Sequence, residues 1–228
     1  MNDRLSVAEL GDDARAGFLV RTYAHLFGAI LLFAAIETFL FTSGLAVPMA
    51  EAMLGVNWLL VLGGFVVVSM LASGAAARAE SKAAQYAALL AYVVAEAIIF
   101  VPLLVMAAYA TNDPGVISKA AWVTLMGFTG LTAIVVFTKK DFSFLGALVK
   151  WGGVLALVAI VAAVLFGFEL GTWFSVAMIG LAGAAILFDT SKVLRDYPED
   201  RHVAAALQLF ASVALLFWYV LRLFMSRD

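Results

Sequence analysis

The sequence predicts an all-α integral membrane protein, a bundle of about seven transmembrane helices with almost no soluble domain. Composition is the first reason. The 228 residues are 65% hydrophobic and 13% charged, with a mean hydropathy of +1.05, whereas soluble domains run at roughly half apolar and a quarter charged. Length is the second. A span uses about 20 residues, so seven spans with short loops consume most of the chain and leave no room for an extramembrane catalytic domain. The third is the placement of charge, which is nearly absent from seven long stretches.

The first stretch covers 22–42 and is interrupted by His25 and Glu37. The second covers 56–77. The third, 84–109, holds Glu96 and also Pro102, which removes one backbone hydrogen bond and predicts a tilt or kink. The fourth to seventh cover 120–138, 148–168, 170–188 and 203–222. Turn residues separate them: Ser43-Gly44 and Pro48, then Asn112-Asp113-Pro114-Gly115, then the tight link Gly167–Gly171. Residues 1–21 mix acids and arginines, unlike a signal peptide, and are expected to form a short cytoplasmic tail. The expected organisation is that tail, one membrane domain over 22–224, and a C-terminal tail over 225–228.

Orientation follows from Lys and Arg near the span ends. Arg4, Arg15, Arg21, Arg78, Lys82, Lys139, Lys140, Lys150, Lys192, Arg195 and Arg201 fall on one side, against Lys119, Arg222 and Arg227 on the other. The N-terminus is therefore expected in the cytoplasm. A last segment that re-enters instead of crossing would improve the bias further, and is the alternative. Tyr23, Trp58, Tyr109, Trp122, Trp151, Trp173 and Tyr219 fall near span ends, as interfacial aromatics do.

Whole classes of function are excluded. The chain has no cysteine and two histidines, His25 and His202, too few for a thiol catalyst or a zinc site of the usual kinds. No nucleophile elbow, phosphate loop or dinucleotide fingerprint appears, and 203–221 lacks the lysine a retinal protein would need. The net charge of −2 offers nothing to nucleic acid. The expectation is a non-enzyme without cofactor, whose first partner is the lipid bilayer.

A charge at depth costs several kcal/mol, so intramembrane ionisable groups are the functional candidates. Asp189 ends the sixth span: it binds a cation or takes up a proton, or else is a hydrated helix-end acid paired with Lys192 or Arg195. Glu96 lies mid-span, a site for cation or proton handling, or else a neutral interhelical hydrogen bond. Glu37 and His25 are secondary candidates. Either can snorkel to an interface, and His25, one turn from Arg21, reads as a boundary residue.

These motifs resemble a known family. Thr-Lys-Lys-Asp-Phe-Ser-Phe-Leu-Gly-Ala-Leu (138–148) closely resembles the loop after the fourth helix in the bacterial YccA-like branch of the Bax inhibitor 1 family. Leu187-Phe188-Asp189-Thr190 resembles the end of its sixth helix. Ala205–Phe210, Leu216-Phe217 and Leu221–Phe224 resemble its seventh, and Arg21-Thr22-Tyr23 its first-span opening. The resemblance implies seven helices with the last one central, wrapped by the other six, in a bacterial inner membrane. It implies a pH-sensitive calcium leak switched by two aspartates sharing a proton, helped by an arginine that falls at Arg78. Asp189 matches the first aspartate and is the best candidate for calcium. Ser212 stands where the family has the second, which implies an altered pH switch. Members near YccA also imply a second function, regulation of a membrane-bound ATP-dependent protease through the N-terminal tail. A small-solute transporter is the third reading.

Overall fold

The computed structural model describes residues 6–9, 11–56, 58–79, 81–111 and 113–226; the side chains of residues 12, 58, 59, 77 and 78 lie outside that description. Eight α-helices follow in order: α1 (Asp12–Thr42), α2 (Ala46–Leu54), α3 (Trp58–Arg78), α4 (Lys82–Ala110), α5 (Val116–Thr138), α6 (Leu145–Phe166), α7 (Gly171–Arg195) and α8 (His202–Met225). Six of them, α1 and α4 to α8, are long and apolar enough to cross a membrane. The chain is a multi-pass integral membrane protein.

Each apolar stretch became a helix because a backbone in hydrocarbon must satisfy its own hydrogen bonds. Two boundaries differ from the expectation. Helix α1 starts at Asp12, so the second half of the expected tail, which contains no proline, continues the first span. The link expected around Pro48 contains α2, where Pro48 occupies the first helical turn. Proline is tolerated there because first-turn N–H groups have no intrahelical acceptor. Helix α4 stays continuous through Pro102. Gly167 and Gly171 take φ of +70° and +65°, the left-handed conformation that makes the α6–α7 link so short.

Helix α8 is the core. It packs against α1, α3, α4, α5 and α7 and buries most of its length, from Val203 through Leu221. The expected wrapping by all six others is incomplete, since α6 packs chiefly on α7 and α2 chiefly on α4. Helix α8 runs unbroken for 24 residues, about 36 Å, and contains no turn at which a re-entrant chain would reverse. Aromatic rings lock the centre. Phe100 stacks on Phe217 at 5.6 Å, meets Trp218 edge-on at 4.9 Å, and takes Phe33 edge-on at 5.1 Å.

Helices α1, α4 and α8 run parallel. His25, partway along α1, reaches Tyr86 and His202 near the starts of α4 and α8, while Phe33 meets Phe100 farther along. The loop at the end of α5 is fastened to the end of α7. Arg195 pairs with Asp141 at 2.8 Å and donates to the Lys139 carbonyl, and the Phe142 amide donates to Ser191. Hydrogen bonds from Ser143, with the Arg195 charge alongside, hold the Asp141 carboxyl below its usual range. In the loop before α5, Lys119 donates to Asp113 at 2.6 Å and likewise depresses its carboxyl.

Of the aromatics expected at interfaces, Tyr109, Trp122, Trp151 and Trp173 face outward. Tyr219 does not: it is buried against Phe174, at 5.9 Å between ring centres.

Candidate functional site

The 138–148 motif and Asp189 are joined by packing. Gly146 of that motif faces Phe188, and a Cβ there would lie 2.7 Å from the ring. A larger residue there would push the Phe188 ring aside, and Phe188 immediately precedes Asp189 on α7. Asp189 is buried. Its Oδ2 accepts a hydrogen bond from the Ser212 hydroxyl at 2.6 Å and a longer one from Gln208 at 3.4 Å. The expected helix-end pairing with Arg195 does not occur, because Arg195 is spent on Asp141 and Lys139. Lys192 lies over the Phe188 ring at 5.4 Å and acts on Asp189 only through its field.

The position that resembles the family's second aspartate therefore does face the first, and here it carries a hydroxyl. The difference is chemical. Two carboxyl groups at this distance must share a proton, whereas a serine donates its own hydrogen to an ionised Asp189 and requires no shared one.

A cavity of about 1120 Å³ opens from this pair. Asp189, Gln208 and Ser212 line one end, Tyr92 and Glu96 the middle, and Glu169, Gly171 and Arg222 the other. Ser175, Met178, Leu181, Ala185 and Asp189 form its wall along α7 at three- and four-residue spacing. From Gly171 to Asp189 that wall rises about 27 Å, close to the thickness of a hydrocarbon core. Glu96 is buried halfway along α4, with the Tyr92 hydroxyl beside its carboxyl.

The structure thus brings Asp189, Ser212 and Glu96 to one cavity. It leaves Glu37 and His25 elsewhere. Glu37 does not snorkel: it is buried in α1, and both carboxyl oxygens lack a hydrogen-bond partner among the described residues. His25 is no simple boundary residue, since its Nε2 lies 2.7 Å from the Tyr86 hydroxyl and its ring 5.1 Å from His202. Arg78 ends α3, but its side chain lies outside the described residues. Sequence reasoning missed Tyr92, Gln208, Glu169 and Arg222. The first two carried a signal, each standing four residues before a candidate and so on the same helix face. No cluster of three or more His, Cys, Asp or Glu suited to a metal occurs among the described residues.

Comparison with known proteins fits this architecture. A family model described as "Inhibitor of apoptosis-promoting Bax1" matches residues 15–228. An "Uncharacterized membrane protein" of Vibrio cholerae is 32% identical over 118 residues, 51% of this chain and 52% of its own length. The "Modulator of FtsH protease YccA" of Escherichia coli K12 is 33% identical over 116 residues, 50% of this chain and 52% of its own. A second Escherichia coli strain's relative, with the same identity and coverage, is named "Inner membrane protein YccA". The chain spans about half the length of these curated relatives, and no solved structure gives a significant match. The family match covers nearly all of the chain, and so this protein belongs to the family of inhibitors of apoptosis-promoting Bax1, on its YccA-like side.

Proposed function

We propose that this protein passes cations, calcium first among them, along the cavity between α3, α4, α6, α7 and α8, with Asp189 as the cation- and proton-binding group. One observation carries the reading: a largely apolar cavity nearly as long as the bilayer is thick, with acids at its middle and at both ends. Oδ1 of Asp189, which accepts no hydrogen bond from the described residues, is the oxygen left for a passing ion. Ser212 removes the shared proton, so the leak responds less steeply to pH than in a two-aspartate relative.

Seven crossings fit best. Helices α1 and α4 run parallel, so the chain between them must return across the bilayer. Helix α2 is about 13 Å long and too short, while α3, at 21 residues or about 31 Å, suffices. The charge bias then sets the N-terminus and the Asp189 end in the cytoplasm of a bacterium, with the inner membrane as the site, as the name of the second Escherichia coli relative supports.

Calcium entry into proteoliposomes, read with an internal dye across a pH series, tests the conduction reading. Wild type is expected to conduct with shallow pH dependence, and Ser212→Asp to acquire a steep one. No flux from either overturns the reading.

A second function has its own support. The Escherichia coli relative named as a modulator of FtsH protease points to regulation of a membrane-bound ATP-dependent protease. Residues 6–9 have a fixed place here: the Val7 amide donates to the Tyr197 carbonyl at 2.9 Å, and Val7 is buried. Deleting residues 1–20 is expected to abolish capture of the protease from solubilised membranes. Capture that survives the deletion counts against the tail as the contact.

A further inference from the structure

A second cavity lies on the outside of the bundle and shares no lining residue with the Asp189 cavity. It measures about 410 Å³, a size typical of small-ligand sites, and opens between the parallel helices α1 and α4. Its residues are ordered by polarity along both helices. On α1 one face reads Arg21, His25, Gly28 and Leu32; on α4 the facing one reads Lys82, Tyr86, Leu90 and Val93. The polar ends coincide, because His25 Nε2 and the Tyr86 hydroxyl lie 2.7 Å apart. One turn before each stand Arg21, within α1, and Lys82, at the start of α4, both exposed and both within electrostatic reach of His202. Below the His–Tyr pair the lining is apolar, and Leu32 and Leu90 expose their side chains outward.

Cations, then hydrogen-bonding groups, then an apolar trough, in that order from the membrane surface inward, is the complement of one kind of molecule. We infer that this groove binds an anionic phospholipid, with the phosphate beside Lys82, Arg21 and the His25–Tyr86 pair and an acyl chain laid along Gly28 and Leu32. Among the described residues the lining holds no acid that would repel a phosphate, and the apolar trough below the polar end fits an acyl chain. Arg21 keeps a long contact to Glu199 at 3.4 Å, between two half-exposed side chains. An ion pair so exposed is weak and yields readily to a phosphate. The His25 ring is already oriented, since its Nδ1 lies 2.7 Å from the Arg21 carbonyl, which can only accept.

Gly28 gives the decisive variant. A Cβ added there meets nothing within 4 Å, so Gly28→Leu fills the trough without straining the bundle. The full chain, purified in detergent with equimolar phosphatidylcholine and phosphatidylglycerol, is to be examined by native mass spectrometry for retained lipid. Wild type is expected to keep phosphatidylglycerol preferentially. Lys82→Gln should weaken that retention about fivefold, the loss of one cation's attraction to an anionic lipid. Gly28→Leu should remove it, and Lys150→Gln, on α6 away from the groove, should leave it intact. Equal retention of both lipids by wild type overturns the inference, as does retention unchanged in Lys82→Gln and Gly28→Leu. So does displacement of the lipid preference by millimolar inorganic phosphate alone, which would make the groove a free-anion site. If Gly28→Leu lowers the melting temperature, Lys82→Gln, whose exposed side chain carries no packing, decides.

Discussion

Asp189→Asn is expected to lower calcium flux by well over tenfold while leaving the bundle folded. At an effective dielectric of about 20, a carboxylate about 4 Å from a single positive charge contributes on the order of 4 kcal/mol, and about 1.4 kcal/mol already makes a factor of ten. Asparagine keeps the size of the side chain and still accepts from Ser212 through its amide oxygen, so the hydrogen bond at 2.6 Å survives as a neutral one. The variant therefore separates charge from structure. Flux should fall, and the detergent melting temperature should hold. Glu96→Gln run beside it reports whether the mid-cavity acid shares the task. Undiminished flux in Asp189→Asn would remove Asp189 from the pathway.

Phe100→Ala is expected to have the largest effect on stability. Phe100 is 1% exposed and touches Phe33, Phe217 and Trp218. Deleting such a ring costs about 3–5 kcal/mol in a protein interior, through lost contacts and the space left behind. In lipid the loss is of packing rather than of hydrophobic transfer, and packing is what holds helices together there. Phe100 also lines the large cavity, so its removal widens the passage beside Glu96. A lower melting temperature together with raised flux is the expected pair of results, readable on one preparation. Stability unchanged from wild type would show that the aromatic cluster does not hold the centre.

The spans were legible because lipid imposes a simple rule, apolar and helical, and the chain obeys it from α4 through α8. Helix α2 was not legible: Ser43-Gly44 and Pro48 read as breakers, and nothing local says that Pro48 sits where a helix tolerates it. Asp189 and Glu96 stood out singly, because a lone acid among apolar residues is visible in any reading. That they line one cavity was not, since α4 and α7 are brought together only by packing on α8. The facing of Asp189 and Ser212 came through the family resemblance and not from spacing. The His25–Tyr86 pair was hidden for the same reason as the cavity: 61 residues separate its members. The burial of Glu37 was not legible either, because burial is a tertiary fact.

Helix α6 supplies one wall of the large cavity, yet it leans chiefly on α7 and turns most of its surface outward. At one end it is held by the Arg195 clamp on the preceding loop, and at the other by the glycine link to α7. A wall fastened along a single neighbour yields to whatever presses on its other side. Here that is the surrounding lipid, so a change of lateral pressure in the bilayer is expected to alter the width of the cavity. Stretching or thinning the membrane is then expected to reshape the same cavity that Asp189 lines.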